Sequence, residues 1–361
     1  MGIDMDYRDN WDKSRERLKG FWSGEIVDRC CISVFAPKKG SNYIPEKLPS
    51  NPADKQKYWT DGEWVLRRNR AQFENTYYAG EATPQIFLDL GAAGHAGYFR
   101  NIKWQYENTI WFFPSIHDWE KDRLEFDPDS FLYKKTLELA KYLTDESKGS
   151  FFVSMPDIAG NSDALAHLRG SQELLLDFYD EEDNVRASLQ KIQEAWLKTA
   201  GEVHNIIKTN NDGGSCIGWL NTWAPGKHSQ LQCDLGVMIS PGTFNDMIMP
   251  ELKAQCDWLD YPLYHFDGIE QIRHLDSLLS LEKLKAIQWT CVDGQPSPLE
   301  FIPVLKRIQE AGKSLLIWIK PNELEPMLEQ LSSKGLYLLL RAGSQEEADD
   351  MIKKAEKLTH E

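Results

Sequence analysis

The chain has 361 residues, 41% hydrophobic and 27% charged, which is length for a sizeable core with no tract biased toward disorder. Its formal net charge of −15 would repel a phosphate backbone, and no Lys/Arg cluster offsets it, so nucleic-acid binding is excluded as a function class. No apolar run reaches the roughly eighteen residues that span a bilayer, and residues 1–6 carry neither a signal core nor a myristoylation pattern; no membrane association and a cytoplasmic location are expected.

In chain order, residues 1–28 read as a charged helix with Trp11, Leu18, Phe21 and Trp22 on its apolar face. A first strand is expected over 29–36, closed by Pro37, and residues 38–80, irregular and then helical, read as an insertion. A second strand over 83–90 runs into a glycine-rich segment around His95. That segment lacks the Lys-Ser/Thr ending of a phosphate loop and reads as a flexible loop. Residues 100–125 predict a hairpin or excursion. Then follow a helix over 128–145, a strand over 150–155, helices over 162–179 and 182–209, and a short strand over 216–219. An extended segment over 230–234 precedes a helix over 240–259 with Pro241 in its first turn, where proline is favoured.

The most informative stretch is Pro262-Leu263-Tyr264-His265-Phe266-Asp267-Gly268. It is an apolar run of buried-strand length that stops at Asp267-Gly268, after which Ile269, Ile272, Leu275 and Leu278 set a helical spacing. Strands over 284–290, 314–320 and 335–340 alternate with helices over 298–311, 321–331 and from 344, where Ser344-Gln345-Glu346-Glu347 is a capping box. Repeated strand–helix units with apolar strands predict a parallel sheet covered by helices. No dinucleotide fingerprint follows the first strand. The expected fold is therefore an α/β (β/α)8 TIM barrel with an N-terminal helical and irregular extension, one domain over 1–361.

Six cysteines occur without a C-x-x-C pair and are expected as buried free thiols; Cys216, Cys233 and Cys291 fall in or just after strands, where a metal-ligand role stays open. The residues just past each strand form a polar set: Asp157, Asn221, Asp234, His265 with Asp267, Asp293 with Gln295, Lys320 and Arg341. In a barrel of such units these positions face the active site. His265 and Asp267 share one strand face, which suits two ligands on one metal or a histidine oriented by a carboxylate; a core histidine and a helix-capping aspartate are the alternative. Of the thirteen tryptophans, Trp219, Trp223 and Trp289 lie near strand ends and would wall a pocket for a flat ligand, with core packing as the alternative. No serine sits in an elbow motif, and paired carboxylates for glycoside hydrolysis remain open.

Ser229-Gln230-Leu231-Gln232-Cys233-Asp234, then Met238-Ile239-Ser240-Pro241-Gly242-Thr243-Phe244 and Met249-Pro250, resemble a hallmark of the uroporphyrinogen decarboxylase superfamily, in which an aspartate-containing segment leads into a Ser-Pro helix ending in proline. Gly170-Ser171-Gln172-Glu173-Leu174-Leu175-Leu176-Asp177-Phe178-Tyr179-Asp180 is similar to part of that family's helix pair after its third strand, and the resemblance covers roughly residues 125–358. It implies a (β/α)8 barrel. The decarboxylase branch has an arginine-rich first strand; here that strand has no arginine and ends in Lys38 and Lys39, while Asp89 stands loosely where a tetrapyrrole-contacting aspartate would be. The branch of corrinoid-dependent methyltransferase-like proteins, some labelled trimethylamine corrinoid protein, has a His-x-Cys-Gly strand end that binds zinc. His265 and Gly268 match it, with Asp267 in place of the cysteine.

That resemblance implies a methyltransferase moving a methyl group between a cobamide on a partner corrinoid protein and a small-molecule acceptor. His265, Asp267, Asp234 and Asp157 would be catalytic. Trp219, Asn221, Trp223, Trp289, Gln295, Lys320 and Arg341 would bind substrate, and His265, Asp267 and Cys233 are the expected zinc ligands. The sequence leaves the oligomeric state open, a homodimer included. The alternatives are a lyase acting on a small polycarboxylate, with Lys320, Arg341, Lys38 and Lys39 as its cations, and a non-catalytic subunit of a methyl-transfer complex. The usual corrinoid-carrier motif Asp-x-His-x-x-Gly is absent from the chain.

Overall fold

The computed structural model describes residues 5–290 and 294–361. Strand β1 (Cys31–Pro37) pairs antiparallel with an edge strand β2 (Thr76–Gly80). Next come β3 (Gln85–Leu88), a hairpin of β4 (Lys103–Tyr106) and β5 (Ile110–Phe113), and β6 (Phe152–Pro156). A second short hairpin joins β7 (Ser215–Ile217) to β8 (Thr222–Ala224). The remaining strands are β9 (His228–Leu231), β10 (Tyr261–Phe266), β11 (Ala286–Trp289), β12 (Ser314–Trp318) and β13 (Leu336–Arg341).

Strands β9, β10, β11, β12, β13 and β1 lie side by side in that order, each pair parallel, and β3 with β6 makes a separate parallel pair. Helices Met249–Trp258, Ile302–Glu310, Leu324–Gln330 and Gln345–Leu358 alternate with these strands and cover the sheet. Burial on both faces explains why the strands are apolar almost throughout. Alternation then sorts the side chains. Tyr264, Phe266, Ile287, Leu315, Ile317 and Leu338 join the core beneath the helices, whereas Phe152, Leu263, Ala286, Leu316, Tyr337 and Leu339 form a second, inner cluster.

The inner cluster is closed at the strand beginnings by the helix Trp11–Ser23, which contributes Trp11, Leu18, Phe21 and Trp22. Two bonds seat it: Trp22 Nε1 donates to the Trp223 carbonyl at 2.8 Å, and Ser314 Oγ donates to the Phe21 carbonyl at 2.7 Å. One end of the inner cluster is thus an aromatic plug, and the polar positions collect at the other. Behind β1, Glu81 is fully buried and accepts from Arg29 Nη1 at 2.7 Å, from Arg29 Nη2 at 2.9 Å and from the Ile32 amide at 2.8 Å.

Several boundaries differ from the sequence expectation, each for a local reason. The helix expected over 162–179 breaks into Asn161–Arg169 and Ser171–Asp180 at Gly170, whose φ is 101°. The helix expected over 240–259 contains a π turn over Phe244–Ile248. Pro250 has no amide hydrogen to give the Asp246 carbonyl, which instead accepts from Arg186 Nη1 at 2.7 Å. The segment expected to be extended over 230–234 is strand only to Leu231, and Asp234 opens a short 3-10 turn over Asp234–Met238. The insertion over 38–80 ends in the strand β2, which the sequence reading did not anticipate. The Ser344 hydroxyl accepts from the Glu347 amide at 3.1 Å, as the capping pattern predicts. The five described cysteines are free and buried, and no helix among the described residues is long and apolar enough to cross a membrane.

Candidate active site

At the ends of β6, β9, β10 and β11 the inner-facing side chains stop being apolar. Gln230 and Gln232 follow one another on the β9 face, His265 stands above Leu263 on β10, and Gln288 stands above Ala286 on β11. Gln288 Nε2 donates to the Trp289 carbonyl at 3.0 Å and to Thr290 Oγ1 at 2.7 Å. A backbone carbonyl can only accept, so the amide orientation is decided and Gln288 Oε1 must face His265 Nδ1, to which it bonds. His265 Nδ1 therefore carries the proton. Thr290 Oγ1 lies 3.1 Å from the same nitrogen, and Nε2, the acceptor, has no partner among the described residues. Burial lowers the imidazole pKa, opposed by the Gln288 bond and the Asp267 charge. The neutral, base-competent form is favoured.

Around this imidazole stand carboxylates that form no salt bridge among the described residues. Asp157 Oδ1 accepts from Gln230 Nε2 at 3.0 Å, and burial raises its pKa to about 7, with the Asp89 and Asp163 charges adding to the rise. Asp234 Oδ2 accepts from Gln232 Nε2 at 3.0 Å, while Oδ1 is buried with no partner among the described residues. Burial first, then the charges of Asp267 and Asp157, pushes Asp234 up to about 7. Asp163 accepts from the Asp234 and Leu235 amides at 3.0 and 2.9 Å and is raised to about 7 by burial and by Asp234. Asp89 is raised by burial too. Near neutral pH the group holds shared protons, and its acids are poised opposite a histidine whose pKa moves the other way.

Local backbone holds these groups. Gly160 has φ 76°, and a Cβ there would stand 2.0 Å from Asp163 Oδ2, so the carboxylate folds back over the turn that only glycine permits. Trp219, in a 3-10 turn after β7, presents its ring edge-on to His265, with centroids 5.1 Å apart and planes at 84°. Its Nε1 donates to Gln230 Oε1, so one tryptophan ties the Asp157–Gln230 pair to the imidazole. Beyond Trp219 opens a cavity of about 630 Å³ at the ends of β1, β12 and β13.

The structure gathers His265, Asp157, Asp234 and Trp219, and Asp267 bears on them by its charge. Gln295 packs on the turn after Asp267, since a Cβ at Gly268 would lie 2.6 Å from its Oε1. Asp293 and Cys291 lie outside the described residues. Arg341 lines the cavity over the Trp318 ring. Asn221 borders it too, but its amide is spent on the Thr83 backbone, accepting from N at 2.9 Å and donating to O at 2.7 Å. The Lys320 side chain is exposed. Two tryptophans are placed elsewhere than expected. Trp223 belongs to the plug, edge-on to Trp11 at 5.1 Å, and Trp289 stacks on Phe266 at 5.4 Å in the helix-facing core.

Cys233 also faces the helix layer, its Sγ 3.2 Å from Ser162 Oγ and its thiol pKa pushed up by burial. His265, Asp267 and Cys233 are not drawn together, and among the described residues no group of three or more His, Cys, Asp or Glu could hold a metal ion. These residues do not fit zinc. The sequence reading did not single out Asp163, Gln288 or Thr290, nor give Gln230 and Gln232 a role. Asp163 reads as a first-turn helix acid, and a glutamine inside an apolar strand is the only signal that could have found Gln230 and Gln288.

No family model and no curated protein matches the chain. Among solved structures, a methyltransferase from Methanosarcina mazei is similar in fold, with a TM-score of 0.64 at 11% identity over 95% of this chain and 98% of that one. A B12-independent methionine synthase from Shewanella sp. W3-18-1, in complex with selenomethionine, aligns with a TM-score of 0.45 at 12% identity over 74% and 78% of the two chains, too distant to carry an argument. What this chain shares with the first is an architecture, along nearly its whole length.

Proposed function

We propose that the chain is a methyl-transfer enzyme built as a (β/α)8 barrel of β1, β3, β6 and β9 to β13, belonging to the uroporphyrinogen decarboxylase superfamily. The observation that carries the reading is the neutral His265, its Nδ1 held by Gln288 and its Nε2 without a partner among the described residues, with carboxylates grouped around it at the strand ends. The fold shared with a methyltransferase supports it. His265 Nε2 takes the proton from the acceptor's thiol or amine as the methyl group arrives, and Asp267 stabilises the imidazolium that forms. Asp157 and Asp234, whose pKa values are pushed up to about 7 by burial, position the acceptor, and the proton taken up by His265 leaves to solvent with product release.

A cobamide would supply or receive the methyl group. A cavity of about 630 Å³ suits a drug-sized molecule, so the tetrapyrrole would stay on a partner protein and meet the mouth from outside. The test is turnover with methylcobalamin and a panel of thiols and amines, followed by loss of methyl–cobalt absorbance. His265→Ala should abolish it with folding intact; unchanged turnover would end the proposal. A second reading is favoured by the same protonated carboxylates: a lyase that protonates a carbanion left by decarboxylation. Carbon dioxide release from a small polycarboxylate, lost in Asp157→Asn, would select it.

A further inference from the structure

The cavity beside Trp219 differs in character from the acid-lined strand ends. Its walls combine aromatic rings, Phe35, Tyr78, Trp219 and Trp318 among them, with uncharged amide and hydroxyl side chains such as Gln72, Asn75 and Gln85, and Arg341 is the only charged residue in its lining among the described residues. The Arg341 guanidinium lies over the Trp318 ring at 5.7 Å, Trp318 stacks on Phe35 at 6.0 Å with planes 25° apart, and Tyr78 closes edge-on to Phe35. No salt bridge neutralises Arg341 among the described residues. A guanidinium lying over an aromatic ring can still present its planar donor fork, and that fork matches a carboxylate. In a chain of net charge −15, such a cation is a local exception.

We infer that this cavity binds the body of the substrate, and that the substrate is a flat or aromatic molecule bearing one carboxylate. The carboxylate pairs with Arg341, the ring lies between Trp318 and Trp219, and the far end passes the Trp219 edge toward His265. Which end reacts rests on the methyl-transfer reading; the binding class does not. The charge division gives the polarity: an anion is repelled by Asp157, Asp163 and Asp234 and drawn to Arg341, so the ligand enters in one orientation.

Calorimetric titration of the full chain with three isosteric probes tests this: 2-naphthoate, 2-naphthamide and 2-naphthylmethylamine. The carboxylate should bind about tenfold tighter than the amide, and the ammonium probe weakest. Arg341→Met should erase the carboxylate's advantage while leaving amide binding unchanged, Arg341→Lys should restore part of it, and Trp318→Leu should weaken both probes. Arg341 is exposed, so its variants are not expected to unfold the chain, and circular dichroism checks this. Equal binding of carboxylate and amide, preference for the amine, or indifference to both Arg341→Met and Trp318→Leu would overturn the assignment. The measurement involves no methyl transfer. Naphthoate binding without turnover would sink the reaction and keep the site, and turnover without naphthoate binding would do the reverse.

Discussion

Asp157→Asn should make the protein more stable at alkaline pH, although it alters the candidate active site. The carboxyl is raised from 3.8 to about 7, chiefly by burial, so between those pH values the native state holds a proton that the unfolded chain has released. Wild-type stability therefore falls as pH rises through this window and levels off above it. The full shift corresponds to about 4 kcal/mol, and relaxation and water access bring the expected net effect to roughly 1–3 kcal/mol. Asparagine keeps an oxygen for Gln230 Nε2 and has no charge to desolvate. Urea unfolding of both proteins at several values from about pH 4 to about pH 8 should show a gap that opens with rising pH and then stays constant. A gap independent of pH, or a variant less stable at the alkaline end, would refute the account of Asp157 as an uncompensated carboxylate.

Three further outcomes follow from the same geometry. Gly268→Ala should destabilise the protein by about 1–3 kcal/mol in denaturant titration, because φ is 78° and the new Cβ would crowd Gln295. Glu81→Gln should cost about 3–5 kcal/mol, seen as a large fall in melting temperature, since it leaves the buried Arg29 without its counter-charge. Gln288→Leu should leave the fold intact and lower turnover on the order of 10²-fold with an altered pH profile, as His265 loses the acceptor that decides its tautomer; an unchanged profile would show that Nδ1 is held by other means.

The strand–helix rhythm was readable because both faces of the parallel strands are covered, which forces runs such as Leu336–Arg341 to be apolar and sharply bounded. His265 was readable for the same reason: a titratable residue just before the end of such a run has nowhere to go but the strand-end face. Its partners were not. Gln288 is 23 residues away and meets His265 only because β10 and β11 pair in register, His265 opposite Gln288. Trp223 and Trp289 show the converse failure. Proximity to a strand end says nothing about which face a side chain takes, and Trp223 sits on a strand that folds back at Asn221, whose φ is 48°. Cys233 missed the site by a single residue, because the neighbouring Gln232 takes the inner face and leaves the thiol beneath the helices.

The two ends of the inner cluster explain each other. Several carboxylates raised together represent charge the fold must confine without a counter-ion, and such a cost is borne only where the surrounding structure over-determines it. Here the opposite end is firmly tied: Trp22 and Ser314 anchor the plug helix, and the Arg29–Glu81 pair joins the start of β1 to the end of β2. If the carboxylates were merely tolerated, neutral amides would serve as well at each position, yet Asp163 accepts two consecutive backbone amides through its two oxygens, which an amide side chain could not do. That demand accounts for Asp163 alone. Asp234 keeps an unpartnered Oδ1 beside it, and no structural need explains that oxygen. An acceptor left bare at the strand ends, next to an imidazole with an open nitrogen, is what a site waiting for a proton-bearing substrate requires.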